Sequence, residues 1–338
     1  MRRKNITIKD VAKAANVSIT TVSRVINNNH DAVNRETGER VRTIIRELQF
    51  VPNAMARGLH STSTKTIGLV IQDIANPYYP GIVQGVENAA QKRGYSLFLA
   101  NVQRSHTRTR QYFEIMREKR VDGMILVGGG IVRDADRENL FGADDLRTVV
   151  VGKPAIDCVS VQIDNVAAAR EACLHLIAMG HRRVGMITGS AYSNSAQDRE
   201  AGYVEAMEQA GLPREKAWGA RGNFTYEGGH SAAEKMIGGG DRGVTAVFAH
   251  NDLMAIGAVN CFQERGIKVP GDVSVVGFDG IQLSSYFSPA LTTVRVPFAD
   301  MGKMAMDCLA ALLLGRRVEK TVFLPAGLVE RETVRRLG

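Results

Sequence analysis

From Ile67 onward, short continuous runs of apolar and β-branched residues alternate with stretches of helical periodicity, and few folds accommodate this. IGLVI (67–71) precedes a predicted helix near 78–93, YSLFLA (95–100) one near 106–119, and DGMILVG (122–128) closes a first series. A second series runs through SVQID (160–164), a helix over 165–180, RVGMITG (183–189) and a helix over 197–211. It continues with VTAVFAH (244–250), a helix over 252–266 and VSVVGFD (273–279). Runs that are apolar throughout suit strands covered on both faces, and the intervening helices make the crossovers that parallel strands need. The pattern predicts an α/β chain built on doubly wound parallel sheets. Two series, one on each side of about residue 160, predict two lobes with a cleft between them. Ligands of such sheets bind outside the carboxyl ends of the strands.

The 338 residues are enough for two or three domains, and their charge is unevenly placed. Residues 1–60 hold 11 Lys+Arg against 5 Asp+Glu, so this head carries +6 of the chain's net +8. A basic head on a nearly neutral body points to a polyanionic partner for the head. Four cysteines (Cys158, Cys173, Cys261, Cys308) lie far apart, with no CxxC or Cys/His spacing. They suit a reducing compartment and no metal site. MRRKNITIKD lacks the apolar segment of a signal peptide, and no apolar run approaches membrane-spanning length. A cytoplasmic protein is expected, without metal or cofactor.

Within the head, residues 7–48 predict three short helices. Thr7 and Asp10 form a capping box ahead of Ile8, Val11, Ala12 and Ala15; Asn16-Val17 is a tight break. Ser18 caps a second helix, with Val17 and Val22 placed as a hydrophobic staple and Val22, Val25 and Ile26 as its inner stripe. Asn34 and Thr37 start a third helix, whose apolar face is Val41, Ile44, Ile45 and Leu48. Outward on the second helix stand Ile19, Thr20, Ser23, Arg24 and Asn27. Such a face suits the DNA major groove: arginine holds guanine through two hydrogen bonds, an apolar side chain meets a thymine methyl, and hydroxyls take phosphates. Helix, short turn and helix with this face is the helix-turn-helix arrangement. After Pro52 the chain turns small and polar as far as Thr66, a linker in which NAMARGL (53–59) is long enough for a helical turn or two.

These motifs carry a resemblance. TIKDVAKAANVSITTVSRVINN (7–28) closely resembles the headpiece of the lactose/galactose-repressor (LacI/GalR) family of bacterial transcription regulators. The likeness continues through VPNAMARGL (51–59), IANPYYPGIVQGVE (74–87), KRVDGMILVG (119–128), GHRRVGMITG (180–189), DREAGY (198–203), VTAVFAHNDLMAIGA (244–258), VPGDVSVVGFDG (269–280) and PALTTV (289–294). It implies that Ile19, Thr20 and Arg24 read bases, while Ser18, Thr21, Ser23 and Asn27 contact phosphates. It also implies a hinge helix at Ala54–Leu59 that orders on DNA, with Ala56 and Leu59 at the minor groove and Leu59 as the wedge. Gly58 stands there where many members carry serine.

The two lobes resemble periplasmic sugar-binding proteins, with crossovers near 163, 295 and 323. The implied domains are a headpiece over 1–50, a hinge and linker over 51–66 and an effector-binding and dimerisation core over 67–338. Lobe 1 would take about 67–163 plus 295–322, and lobe 2 about 164–294 plus 323–338. Implied effector contacts are Asn76, Tyr78, Tyr79, Arg199, Phe224, Asn251 and Asp279, a set of aromatic faces and polar groups suited to a polyhydroxylated ligand. Arg199 has a second reading as the partner of a buried ion pair, and Tyr78 and Tyr79 as packing residues. Gly152 and Gly128–Gly130 replace polar side chains of some relatives and imply a roomier pocket.

Two rival functions fit the sequence less well. A nucleotide-dependent doubly wound enzyme lacks its phosphate loop here, since the first strand continues as IGLVIQDIANPYY without GxGxxG, and no GxxxxGK[ST] occurs. A solute-binding protein without a DNA role would carry no basic head. The expectation is a DNA-binding regulator, a repressor by resemblance, controlled by a small sugar-like effector. One recognition helix covers a half-site, so a homodimer on a pseudo-palindromic operator is expected; no leucine heptads at the C-terminus point to a tetramer.

Overall fold

Local capping chemistry shapes the N-terminal unit. The computed structural model describes residues 6–26, 33–50, 63–128, 131, 146–155, 157–215, 218–237 and 243–337. It divides the chain into two units, residues 1–64 and 65–338. In the first, helix α1 (Ile8–Ala14) starts where the Asp10 carboxylate accepts both the N–H and the hydroxyl of Thr7, at 2.8 and 2.7 Å. It ends at Asn16, whose φ of 51° lets the Val17 N–H reach back to the Ala12 carbonyl at 3.0 Å. That reversal at an asparagine is a helix stop that aims the chain directly into the next helix.

Helix α2 (Ile19–Ile26) is capped by Ser18, whose Oγ accepts from the Thr21 N–H at 3.0 Å. Helix α3 (Arg35–Glu47) is capped by Asn34, which accepts from the Thr37 N–H. Val11, Ala12, Ala15, Val22, Val25, Val41 and Phe50 make the small core of this unit, with Val17, Ile26, Ile44, Ile45 and Leu48 packed around it. Phe50 lies outside the helical periodicity that marks the rest of this core. It is carried inward by a second left-handed residue, Gln49 (φ 48°), just past α3.

Two six-stranded sheets organise the second unit. One takes the order β11-β5-β4-β3-β1-β2, from β1 (Thr66–Ile71), β2 (Ser96–Asn101), β3 (Gly123–Val127), β4 (Thr148–Val151), β5 (Val159–Gln162) and β11 (Thr321–Phe323). The other has the order β12-β10-β9-β8-β6-β7, from β6 (Val184–Thr188), β7 (Gly219–Arg221), β8 (Ala246–Ala249), β9 (Ser274–Asp279), β10 (Thr292–Arg295) and β12 (Gly327–Val329). Apart from β12, antiparallel to β10, every pairing is parallel. The central strands β3, β4, β8 and β9 are buried along their whole length, as strands covered on both faces must be.

Helices cover these sheets: α4 (Tyr78–Gln91), α5 (His106–Glu118), α6 (Asn165–Ala178), α7 (Asn194–Gln209), α8 (Tyr226–Ile237), α9 (Asp252–Glu264), the short α10 (Leu283–Tyr286) and α11 (Phe298–Leu313). After β5 the chain leaves the first sheet, and α6 packs on α7 and the second sheet. After β10 it returns, and α11 packs on α4, β3, β4 and β5. It crosses once more between β11 and β12. Each lobe therefore repeats one winding, with its first strand inside its second, and the expected doubly wound α/β architecture is what the chain adopts.

Candidate functional site

Because every strand from β1 to β10 is parallel within its sheet, the loops after their carboxyl ends collect on one side of each lobe. Those loops enclose a cavity of about 320 Å3. The first lobe contributes Gln72 after β1, Arg104 after β2, Gly128 after β3, Lys153 after β4 and Ile163 after β5. From the second come Ser190 after β6, Phe224 after β7, Asn251 after β8, Asp279 at the end of β9 and Val296 after β10. All seven side chains expected at an effector, Asn76, Tyr78, Tyr79, Arg199, Phe224, Asn251 and Asp279, line this one space.

A buried ion pair lies at its floor. Arg199 and Asp279 are each 4% exposed, and the guanidinium reaches the carboxylate at 3.3 Å. Arg199 also donates to the Asn165 side chain at 2.9 Å and to the His250 carbonyl, and it lies 3.7 Å over the centre of the Phe278 ring. Both sequence readings of Arg199, cavity-lining residue and ion-pair partner, therefore describe the same side chain. Burial pushes the Asp279 carboxyl up to about 6, while Arg199 pulls the other way. Behind it, Asp252 is pushed up to about 8 by burial and then by Asp279, although Ile281 N–H and the Thr293 hydroxyl both donate to it. Burial and the Arg199 charge hold His250 down at about 3, a neutral ring. Asp279 has φ 113°, a strained conformation of the kind that packed functional sites sustain.

Several expected contact residues are partly committed to structure. The Asn251 side chain caps α9 by accepting from Met254 N–H at 3.0 Å and donates to the Phe224 carbonyl at 3.3 Å. Asn76 accepts from the Tyr78 N–H at 3.0 Å, starting α4. Tyr78 packs edge-on against Tyr79 and Phe298, with ring centres 5.1 Å away in both cases, and its hydroxyl is raised to about 12 by burial and then by Asp279. The Tyr79 hydroxyl donates to Gln72 at 3.3 Å. Phe224 seats its ring on Gly189, where a Cβ would stand 2.0 Å from the ring Cζ. Gly128 and Gly152 line the cavity with φ of 111° and 107°, a backbone region that disfavours side chains; Gly129 and Gly130 lie outside the described residues.

The sequence reading missed Gln72, Arg104, Lys153 and Tyr192 on the cavity wall. Their signal was positional: Gln72, Arg104 and Lys153 fall within three residues of a strand's carboxyl end. Lys153 also joins the lobes, since its ammonium meets Asp198 at 2.8 Å and its carbonyl accepts from Asn194 at 3.3 Å.

On α2, Val22 and Val25 point inward while Ile19 (45% exposed), Thr20 and Arg24 face outward. Ser23 is half-buried, and so is Thr21, which shares a 2.8 Å hydrogen bond with Ser18. Asn27, Ala56 and Leu59 lie outside the described residues.

Comparison with known proteins decides the family. Residues 7–53 match the model of bacterial regulatory proteins of the lacI family, and residues 173–334 match a periplasmic binding protein-like domain. The chain is 37% identical over 335 residues to the HTH-type transcriptional repressor PurR of Vibrio parahaemolyticus, covering 98% of this chain and 99% of that protein. The chain belongs to the LacI family. It is a regulator of transcription and not an enzyme. A second relative, the PurR repressor of Photobacterium profundum, is 35% identical with the same coverage.

Solved structures of family members agree. A lac repressor dimer bound to operator and an anti-inducer superposes with a TM-score of 0.87 at 28% identity, covering 98% of this chain and 100% of that one. The regulator CelR in complex with cellobiose is 32% identical with a TM-score of 0.74, covering 97% and 99%. In this LacI-family chain no described helix is long and apolar enough to cross a membrane, and no described cluster of His, Cys, Asp or Glu could hold a metal ion.

Proposed function

We propose that this regulator is a cytoplasmic repressor that binds a pseudo-palindromic operator as a homodimer, and that a small polar effector between the two lobes sets its operator affinity. The observation that carries the reading is the joining, in one chain, of an outward helix face bearing Ile19, Thr20 and Arg24 to a cavity built from ten strand ends. Ile19, Thr20 and Arg24 read base edges. Ser18, Thr21, Ser23 and Asn27 fix the helix on phosphates, which positions it without reading sequence. Residues 51–66 act as the hinge, with Ala56 and Leu59 at the minor groove, where an apolar wedge kinks the duplex.

Asn76, Tyr78, Tyr79, Arg199, Phe224, Asn251 and Asp279 hold the effector, a sugar or sugar derivative. Phe224 supplies an apolar face for a sugar ring, while Arg199 and Asp279 supply a donor and an acceptor for neighbouring hydroxyls. Selection of bound duplexes from a random DNA pool by the full chain tests the DNA half of this reading. Two inverted half-sites at a fixed spacing are expected. Recovery of sequences without two-fold symmetry, or no enrichment at all, contradicts it.

A further inference from the structure

The described lining of the cleft holds more cations than carboxylates. Among the described residues, Asp279 is the one acidic side chain on the cavity wall, against the cations Arg104, Lys153 and Arg199. Two of these are committed: Arg199 to Asp279 at 3.3 Å and Lys153 to Asp198 at 2.8 Å. Arg104 forms no ion pair with any described residue. Arg104 lines the same cavity as Tyr79 and Gln72, whose side chains are hydrogen-bonded to each other.

The backbone holds Arg104 there at some cost. Gln103 and Arg104 both occupy the left-handed region, with φ of 49° and 55°. Arg108 binds the Gln103 side chain, and its N–H donates to Ser105 Oγ, the cap of α5, at 3.3 Å. The turn thus fixes Arg104 beside the first turn of α5, where Ser105 and Thr109 also line the cavity. The positive end of that helix adds charge of the same sign.

Arg104 is exposed, and a ligand filling the cavity covers it. Dehydrating a cation that pairs with no described acid is costly, whereas a ligand carrying a negative charge supplies a partner. We propose that the effector is an anionic carbohydrate, a sugar bearing one carboxylate or phosphate group, with its anionic group on Arg104 and its hydroxyls on Arg199 and Asp279. Tyr192, 86% exposed on the cavity rim, offers a ring face for the sugar. This rests on reading the cleft as the effector site.

Titration calorimetry of the full chain with D-gluconate, D-galacturonate and D-glucose 6-phosphate, against D-glucose and D-galactose, tests it, and the carboxylate and phosphate arms separate the two sources of charge. At least one anion is expected to bind about 30-fold or more tightly than its neutral counterpart, and to lose a similar factor in Arg104→Gln. Arg104→Lys is expected to restore much of the loss, and added salt to weaken binding. The inference is overturned if no anionic probe binds, if a neutral sugar binds as tightly as its charged counterpart, or if Arg104→Gln keeps its affinity. Neutral-sugar binding that Phe224→Ala abolishes would leave the cleft as effector site and remove only the charge assignment. Binding indifferent to both Phe224→Ala and Arg104→Gln would remove the cleft itself.

Discussion

Arg199 and Asp279 come from different elements, α7 and the end of β9, and meet at 3.3 Å with both side chains 5% exposed. A pair this deep gains attraction but has already given up its hydration, so removing one partner strands a charge in a dry site. Arg199→Ala is therefore expected to destabilise the core by about 3–5 kcal/mol in urea unfolding. A loss below about 1 kcal/mol would show that the pair is hydrated in solution.

The two buried carboxylates also set a pH dependence whose sign can be worked out. Asp252 titrates near 8 in the folded chain, above its usual 3.8, so the folded state binds its proton more tightly than the unfolded state does. Stability from this group is present at low pH and falls as pH rises from about 4 towards 8. Asp279, near 6, acts in the same direction over a narrower window, while His250, depressed to about 3, opposes both below its usual 6.5. Between about pH 6.5 and 8 Asp252 makes the largest change of the three. In that window the wild type should lose on the order of 1–2 kcal/mol relative to Asp252→Asn, measured as the difference between their unfolding free energies. Parallel curves for the two proteins would contradict the buried-acid account.

Phe224 and Gly189 make a third test. A methyl group at 189 would overlap the Phe224 ring at 2.0 Å, so the ring must leave its seat in Gly189→Ala. Overpacking of this kind costs about 1–3 kcal/mol, and the displaced ring should weaken effector binding as well. Unchanged calorimetric affinity with a normal Tm would mean that the ring has room elsewhere.

Ser18 separates capping from DNA contact. Its Oγ accepts from the Thr21 N–H, and loss of such a cap costs about 0.5–2 kcal/mol. Ser18→Asp keeps a good cap but sets a negative charge on the face assigned to phosphates. Headpiece stability should hold while operator affinity drops, as read by fluorescence anisotropy at fixed salt. Full affinity in Ser18→Asp would remove Ser18 from the phosphate set.

Much of this architecture was legible in the residues because its signals are local. Buried parallel strands such as Gly123–Val127 and Ser274–Asp279 read as unbroken apolar runs, and the helix caps at Thr7, Ser18 and Asn34 each sit three residues before their partners. Short or edge elements do not show: β7 (Gly219–Arg221) is largely exposed, and β7, β11 and β12 are three residues each, too short for periodicity. The α8 helix, Tyr226–Ile237, carries Gly228 and Gly229, which the sequence alone reads as breakers. Gly229 is needed because α9 backbone approaches to 2.2 Å of where its Cβ would be. The cavity wall was hardest to foresee. Arg104 and Lys153 share a cavity with Asp279 and Phe224 only because loops of two different sheets, distant in sequence, meet there, which no local pattern records.

The proposed function requires that one chain couple operator binding to occupancy of its cleft. Measuring the operator Kd of the full chain by anisotropy, with and without a saturating sugar ligand found by calorimetry, tests it directly. A change of roughly 5–150-fold is expected in the wild type, absent in Phe224→Ala. An operator Kd that stays the same in the wild type when the ligand saturates would contradict it.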